Sequence, residues 1–149
     1  MDAIQDELAE LSAEFEVLGD WEERYRYVID LGRDLAPLSD AERSDANKVR
    51  GCASQVWLVT QPQAGPAPGL PADTVLAYDG ESDSHIVQGL IAILLALTNG
   101  RTAGELVALD IAGRFDALGL KEHLTQQRSN GLASMVARIK ADAQSIVGR

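Results

Sequence analysis

The chain of 149 residues has the length of one domain and can bury a core without disulfides or metal ions. Its composition, 46% hydrophobic and 24% charged, excludes collagen-like and wholly disordered chains, and no apolar run approaches the roughly 18 residues that cross a bilayer. The net charge of −10 comes entirely from residues 1–45, which hold 14 acids and four arginines. Phosphate backbones repel such a chain, so nucleic acid is not an expected ligand.

The N-terminus and the cysteine content indicate the compartment. The first ten residues are acidic and lack the basic and apolar regions of a secretory signal. The single cysteine, Cys52, can form no internal disulfide, and a free thiol fits a reducing cytosol. One cysteine cannot assemble the usual Cys-rich metal sites, and the spacing of Cys52, His85 and His123 matches no zinc motif. We therefore predict a cytoplasmic protein with no metal site.

Two helices are predicted in the N-terminal third. Apolar residues recur at helical spacing over residues 3–18, which predicts an amphipathic helix. Asp20, followed three positions later by Glu23, predicts the start of a second helix, which we expect to end at Pro37. The side chains that this second helix is expected to bury are Tyr25, Val28, Leu31 and Leu35. The polar residues 38–47 predict a loop or an irregular helical turn.

The middle of the chain changes to the period of β-structure. Residues 54–60 and 74–78 are rich in β-branched and aromatic side chains and predict an antiparallel hairpin, with Trp57 and Tyr78 as a cross-strand pair. Residues 47–50 could add a third short strand. The connection between the two strands must lie at the surface, because prolines cannot donate to a β-ladder. Four of the five prolines fall in it: Pro62, Pro66, Pro68 and Pro71.

The second half of the chain predicts helices. Residues 85–98 are nearly all apolar, follow the capping residues Ser82 and Ser84, and precede Gly100, which predicts a buried central helix. Three more helices are predicted, over residues 103–109 after the capping box of Thr102 and Glu105, over residues 112–118, and over residues 127–147. The fold class is therefore α+β, a small antiparallel sheet with helices packed on it, in a single domain over residues 1–149.

Cys52 is the first candidate for chemistry. It follows Gly51 where a loop leads into the first strand, and a loop on a rigid scaffold often presents a reactive group. Lys48 and Arg50 are close in sequence and would favour the thiolate, which is the reactive form. From spacing alone, a small buried hydrophobic residue is an equally good interpretation of this cysteine.

Other polar residues give weaker signals. His85, near Asp83, could donate a proton to Cys52, but a solvated residue in the first turn of a helix is the simpler interpretation. His123 is typical of a half-buried structural histidine. Arg128 lies near the start of the last helix, where a cation opposes the helix dipole, so it is either a plain surface arginine or a residue that pairs with a carboxylate of a partner. The sequence contains no G-x-S-x-G motif of a serine hydrolase.

Four segments of the sequence together resemble the SufE family. Residues 49–57, VRGCASQVW, are similar to its V-x-G-C-x-S-x-V-W signature, and residues 82–90, SDSHIVQGL, resemble its S-D-x-x-I-V-x-G-L helix. Residues 21–32 contain the W-x-x-R-Y and L-G elements of the family, and residues 118–135 resemble its L-G-L, H-L-S/T, R-x-x-G-L and M ending. The resemblance covers about residues 10–142 in order and without a long gap.

The resemblance implies a fold like that of the IscU scaffold protein and a role in sulfur transfer. In the family, the cysteine that matches Cys52 takes a persulfide sulfur from a PLP-dependent cysteine desulfurase of the SufS or CsdA type. The family protein stimulates the desulfurase and passes the sulfur to an iron–sulfur scaffold complex. PLP belongs to the desulfurase, so no cofactor is expected in this chain, which would be a sulfurtransferase-like accessory protein and not a stand-alone enzyme.

The resemblance also implies roles for single residues. Cys52 would carry the persulfide, and Arg128 would contact the desulfurase. From their positions in the sequence, Gly51, Lys48 and Arg50 are expected to support Cys52, and Asp83 is expected to contact the partner as well. A pocket that hides Cys52 at rest could come from the apolar residues Val56, Leu58, Ile86 and Leu90. Two alternatives stay open, a redox sensor in which Cys52 forms a mixed disulfide and a binding module that stimulates a desulfurase without its thiol. A homodimer is also compatible with the sequence.

Overall fold

The computed structural model describes residues 13–14, 17–18, 20–35, 37–50, 55–63, 74–117 and 124–148, with only the backbone of residues 60–63 and 116–117. Its helices are α1 (Trp21–Arg33), α2 (His85–Thr98), α3 (Ala103–Ala108), α4 (Ile111–Ala117) and α5 (Gln126–Val147), and its strands are β1 (Val56–Gln63) and β2 (Val75–Ser82). The predicted α+β class is confirmed, since these helices pack on a small antiparallel sheet. The helix predicted over residues 3–18 lies almost entirely outside the described residues.

Helix α1 begins where the sequence predicts and ends earlier. The carboxylate of Asp20 accepts a hydrogen bond of 2.8 Å from the backbone N–H of Glu23, as an N-cap does. The predicted end at Pro37 is wrong: the N–H groups of Asp34 and Leu35 turn to carbonyls three residues back, which tightens the last turn and ends the helix at Arg33. Of the four side chains expected to be buried, Val28 is buried and the others, Tyr25, Leu31 and Leu35, are half-buried.

The predicted hairpin is present, and both strands run further than predicted. β1 and β2 are antiparallel, with Val56 opposite Ser82 and Gln63 opposite Val75. Gly80, which interrupts the strand pattern in the sequence, lies inside β2. A Cβ at this position would come within 2.6 Å of Ile91 Cγ2, so glycine lets the central helix lie close to the strand.

Pro62 corrects the prediction that all four prolines lie outside the sheet. It lies within β1, opposite Leu76 of β2. The backbone groups of Leu76 bond on the other side of β2, to Gly100 and to Arg101, so the Pro62–Leu76 pair exchanges no hydrogen bond across the sheet. The missing N–H of Pro62 therefore costs the ladder nothing.

The predicted pair of Trp57 and Tyr78 is also wrong, because of the strand register. Trp57 lies opposite Glu81, while Tyr78 lies opposite Thr60. The two aromatic residues are therefore on opposite faces of the sheet, since successive side chains along a strand alternate. Tyr78 faces the core and is 2% exposed.

Both outer edges of the hairpin are partly paired. On the β1 side, Val49 donates to the carbonyl of Val56 at 2.9 Å and Leu58 donates to Asn47 at 2.9 Å, so the short strand predicted over residues 47–50 is present as a single bridge. On the β2 side, the side-chain amide of Asn99 bonds both the N–H and the carbonyl of Tyr78, at 2.8 and 3.0 Å. Neither edge is open along the positions named here.

Helix α2 is the centre of the fold. Its bounds, its N-cap at Ser84 and its end before Gly100 are as predicted, and Gly100 has a φ of 85°, which glycine tolerates best. Ten of its 14 residues are buried. Gly89 of α2 meets Val28 of α1 so closely that a Cβ on Gly89 would overlap the Val28 carbonyl oxygen. Glycine thus permits the close crossing of these two helices.

The last three helices close the core on the other side. α3 starts with the predicted capping box of Thr102 and Glu105. The amino group of Lys140 on α5 donates to the carbonyls of Val107 and Leu109 at the end of α3, where a cation is favourable. The side chains that α5 buries are Leu132, Met135, Ile139, Ala143 and Ile146. Over the part of the chain that the structure describes, no helix is long and apolar enough to cross a membrane.

Candidate functional site

We call residues 50–55 the Cys52 segment, and the structure describes the chain at both of its ends. Cys52 and Gly51 lie outside the described residues, which resume at Gln55. Immediately before and after this segment, the backbone of Val49 bonds that of Val56 at 2.9 Å. The chain therefore enters and leaves the Cys52 segment at neighbouring points on the outer edge of β1.

Asp83 holds the C-terminal end of the Cys52 segment. Its carboxylate accepts a hydrogen bond from the backbone N–H of Gln55 at 3.0 Å, and its own backbone N–H donates to the Gln55 carbonyl at 3.3 Å. A carboxylate that accepts a backbone N–H makes a stronger bond than a neutral acceptor does. Two hydrogen bonds thus join Asp83, a residue singled out from the sequence, to the residue that precedes β1.

A cavity of about 220 Å³ opens beside these ends. Val56, next to Gln55, and Ser84, next to Asp83, both line it. Its apolar lining residues are Val56, Val87, Leu90, Leu132 and Met135. Its polar lining residues are Ser84, Thr125, Gln127 and Arg128. The cavity can therefore take a group with an apolar body and a negative end.

Arg128 is the cation of this cavity. It lies in the first turn of α5, where its backbone N–H donates to the N-cap hydroxyl of Thr125 at 3.2 Å. Its side chain is exposed, and its guanidinium has no hydrogen-bond or ion-pair partner within the described ranges. An exposed guanidinium without such a partner is available to bind a carboxylate or another anion through two parallel hydrogen bonds, in bidentate geometry.

The other predicted site residues are less closely grouped. Lys48 is half-buried and bridges Trp57 through its backbone, and Arg50 is exposed at the last described position before Cys52. His85 is exposed and lines a different groove, between α1 and α2, together with Glu81 and Gln88. The interpretation of His85 as a solvated residue of the first turn therefore holds. His123 lies outside the described residues.

The apolar residues predicted to form a pocket divide into two pairs. Val56 and Leu90 line the cavity, whereas Leu58 and Ile86 are buried in the core and do not line it. Sequence reasoning missed Gln127 and Met135, which lie on the cavity side of α5. The one-turn spacing of Arg128, Leu132 and Met135 was the available signal, because residues three or four apart share a helix face.

Sequence reasoning also missed an ion pair, between Arg43 and Glu81. Glu81 accepts from the Nε of Arg43 at 2.5 Å and from its Nη2 at 3.0 Å, and the same carboxylate accepts the backbone N–H of Leu38 at 3.1 Å. The Arg43 guanidinium holds the pKa of Glu81 below its ordinary value of 4.5. The stabilisation is therefore present above that ordinary value and is lost as the pH falls through the lower pKa of the folded state.

Comparison with known proteins gives the family. The family described as "SufE: Fe-S metabolism associated domain" matches residues 9–143. An uncharacterized SufE-like protein of Rhizobium meliloti (strain 1021) is 48% identical over 137 residues, which cover 92% of this chain and 94% of that protein. Another, of Rhizobium etli, is 49% identical over 137 residues, covering 92% of this chain and 89% of that protein.

A solved structure supports the fold independently. The solution structure of a hypothetical protein from Thermus thermophilus superimposes with a TM-score of 0.71 at 14% sequence identity, covering 98% of this chain and 96% of that one. At this identity the likeness shows the fold alone. The resemblance seen in the sequence is thereby confirmed by the family match and the relatives, and the chain belongs to the SufE family.

Proposed function

We propose that the chain is a sulfur acceptor and relay protein of iron–sulfur metabolism. Cys52 accepts a persulfide sulfur from a PLP-dependent cysteine desulfurase of the SufS or CsdA type, and the chain passes that sulfur to an iron–sulfur scaffold complex in the cytoplasm. Membership in a family associated with Fe–S metabolism supports the general role. The finer assignment rests on the surroundings of the Cys52 segment.

One observation carries the proposal. Val56 and Ser84, which adjoin the two residues hydrogen-bonded at the end of the Cys52 segment, also line the cavity that contains Arg128. Cys52 is the only cysteine of the chain, hence the only side chain able to carry a persulfide. The only thiol thus belongs to a segment whose end is anchored beside a cavity with mixed polar and apolar lining, and the guanidinium of Arg128 in that lining is unpaired among the described residues.

The transfer is a thiol exchange. The thiolate of Cys52 attacks the outer sulfur of the persulfide on the desulfurase cysteine, and a new S–S bond forms. The S–S bond of the donor breaks, and its cysteine leaves as a thiolate. Cys52 then carries the persulfide, and the reaction requires no external oxidant or reductant because one S–S bond replaces another.

The lining of the cavity is chemically suited to a persulfide on Cys52. A persulfide on an exposed loop is lost to other thiols and to oxidation. The apolar side chains of Val87, Leu90 and Met135 in its lining offer a less hydrated surface, while Arg128 in the same lining provides a cation for a negative sulfur or for a carboxylate of the desulfurase. We also assign Asp83 a part in docking, because its two hydrogen bonds with Gln55 fix the point at which the chain leaves the Cys52 segment.

Mass spectrometry tests the transfer directly. The protein is incubated with a SufS-type desulfurase and cysteine, and the Cys52 peptide is expected to gain one sulfur, about 32 Da, which a reductant removes. The Cys52→Ser variant is the control and should show no gain. The proposal is wrong if Cys52 stays unmodified while the desulfurase is active, or if the adduct persists in the control.

Arg128→Ala is expected to reduce desulfurase stimulation about tenfold, which corresponds to about 1.4 kcal/mol. The reason is that this guanidinium, unpaired within the described residues, is lost from the cavity. Thermal midpoint and Cys52 alkylation rate should stay at wild-type values, since no described contact of the fold uses this side chain. Arg26→Ala on α1 is a matched control, because it also removes an exposed arginine. If Arg128→Ala stimulated the desulfurase as strongly as Arg26→Ala does, Arg128 would not be part of the docking surface.

A further inference from the structure

Glu81 ties together two points of the chain that precede Cys52. Its carboxylate binds the Arg43 guanidinium through two nitrogens and also accepts the backbone N–H of Leu38. The side chains of Glu81 and Arg43 are 18% and 32% exposed, so the pair is partly withdrawn from water. Bidentate, charge-assisted hydrogen bonds of this kind fix the relative position of two side chains better than single surface ion pairs do.

The restraint continues from Arg43 toward Cys52. We call residues 38–49 the approach segment. Within it, the side-chain amide of Asn47 donates to the Glu42 carbonyl at 3.0 Å. The carbonyl of Asn47 in turn accepts from Leu58 on β1 at 2.9 Å. Hydrogen bonds thus connect Glu42, the residue before Arg43, through Asn47 to Leu58 on the edge of β1.

The same end of β2 holds both sides of the Cys52 segment. Glu81 holds the approach segment, and Asp83, two residues later, holds Gln55 on the far side. Neighbouring positions of one rigid strand end therefore restrain the chain before and after Cys52. The approach segment has no helix or strand of its own: it forms turns and one isolated bridge, so the side-chain bonds of Glu81 add to the few backbone bonds that hold it.

We propose that Arg43 and Glu81 are positioning residues for Cys52: they hold the approach segment, which leads to the cysteine, against the end of β2 and so limit how freely Cys52 reacts before the partner docks. The inference rests on the proposed function, and it adds a second restraint to the one that Asp83 makes. Loss of the pair leaves the core unchanged, since neither side chain belongs to the hydrophobic core. It lets the approach segment open more often, so Cys52 reacts faster with small reagents in the free protein.

The test uses the free protein and the variant Arg43→Ala. Amide exchange within residues 38–49 is expected to rise about tenfold and iodoacetamide alkylation of Cys52 about fivefold, while amides of α5 exchange at the wild-type rate. Arg43→Lys should recover part of the effect, because lysine keeps the charge and loses the two-pronged geometry. Asp40→Ala is the matched control: it removes the exposed partner of the same arginine, and it should behave as wild type.

Each other outcome overturns the inference. Unchanged exchange and alkylation in Arg43→Ala would show that the pair restrains nothing near Cys52. Equal acceleration in α5 would show a general loss of stability, with no specific positioning. Should Arg43→Ala fail to fold, Glu81→Gln decides, because its amide oxygen still accepts from Leu38 while the ion pair is lost. None of these measurements requires a desulfurase, so a failure of sulfur transfer is seen separately, in the mass of Cys52.

Discussion

Replacing Cys52 with serine is expected to abolish stimulation of a SufS-type desulfurase, with a loss of at least about tenfold. A hydroxyl in place of the thiol is far less acidic, is a poor nucleophile toward sulfur, and cannot hold a persulfide. The variant differs from wild type by one atom, so an unchanged thermal midpoint and circular dichroism spectrum would separate loss of chemistry from loss of fold. The rate of alanine formation from cysteine, with and without this protein, measures the stimulation.

This variant also distinguishes the three interpretations of Cys52. A sulfur relay loses all stimulation in Cys52→Ser. A binding module that acts through contact alone keeps it, which would contradict the relay. A redox sensor does not stimulate the desulfurase even as the wild-type protein, and its Cys52 forms a mixed disulfide under oxidising conditions instead.

Gly89→Ala is expected to lower the free energy of unfolding by about 2 kcal/mol, the largest stability change among these predictions. The added methyl group would overlap the carbonyl oxygen of Val28 and lie 2.6 Å from Val28 Cγ1, so α1 and α2 must move apart. The higher helix propensity of alanine offsets part of this cost. Urea denaturation of both proteins, followed by circular dichroism, measures the difference.

Gly148→Ala is the matched control for the added methyl group. The nearest atom to a Cβ there is the Gln144 carbonyl oxygen at 3.3 Å, and the residue is exposed at the end of α5. We expect a change within about 0.5 kcal/mol. If Gly89→Ala were as mild as this control, the helices would have room to adjust, and the close approach would not be a requirement of the fold.

The elements with local start and stop signals could be predicted from the sequence. The caps at Asp20, Ser84 and Thr102 lie where the sequence indicates, because an N-cap depends on residues within one turn. The register of the hairpin could not be predicted this way. It depends on what each strand face packs against, so the length of β2, the place of Pro62 and the partners of Trp57 came from the structure.

The candidate site shows the same division. Asp83 and Arg128 could be singled out from the sequence, the first by its family motif and the second by its position near a helix start. Their partners could not, since Gln55 lies 28 residues from Asp83 and Arg43 lies 38 residues from Glu81. Contacts between residues so far apart in the sequence depend on how the approach segment and Gln55 lie against the end of β2. No local sequence pattern indicates that arrangement.

The paired edges of the hairpin bear on whether another chain can add a strand to this sheet. An open strand edge is a template on which another chain can add a strand, the usual route to domain swapping and amyloid. Asn99 occupies both backbone groups of Tyr78 on one edge. On the other edge, Asn47 accepts from the N–H of Leu58 and Val49 donates to the carbonyl of Val56. Pro62, further along that edge, has no amide hydrogen to offer. At these positions the backbone groups are already bonded or missing, so they offer no template to the strand of another chain.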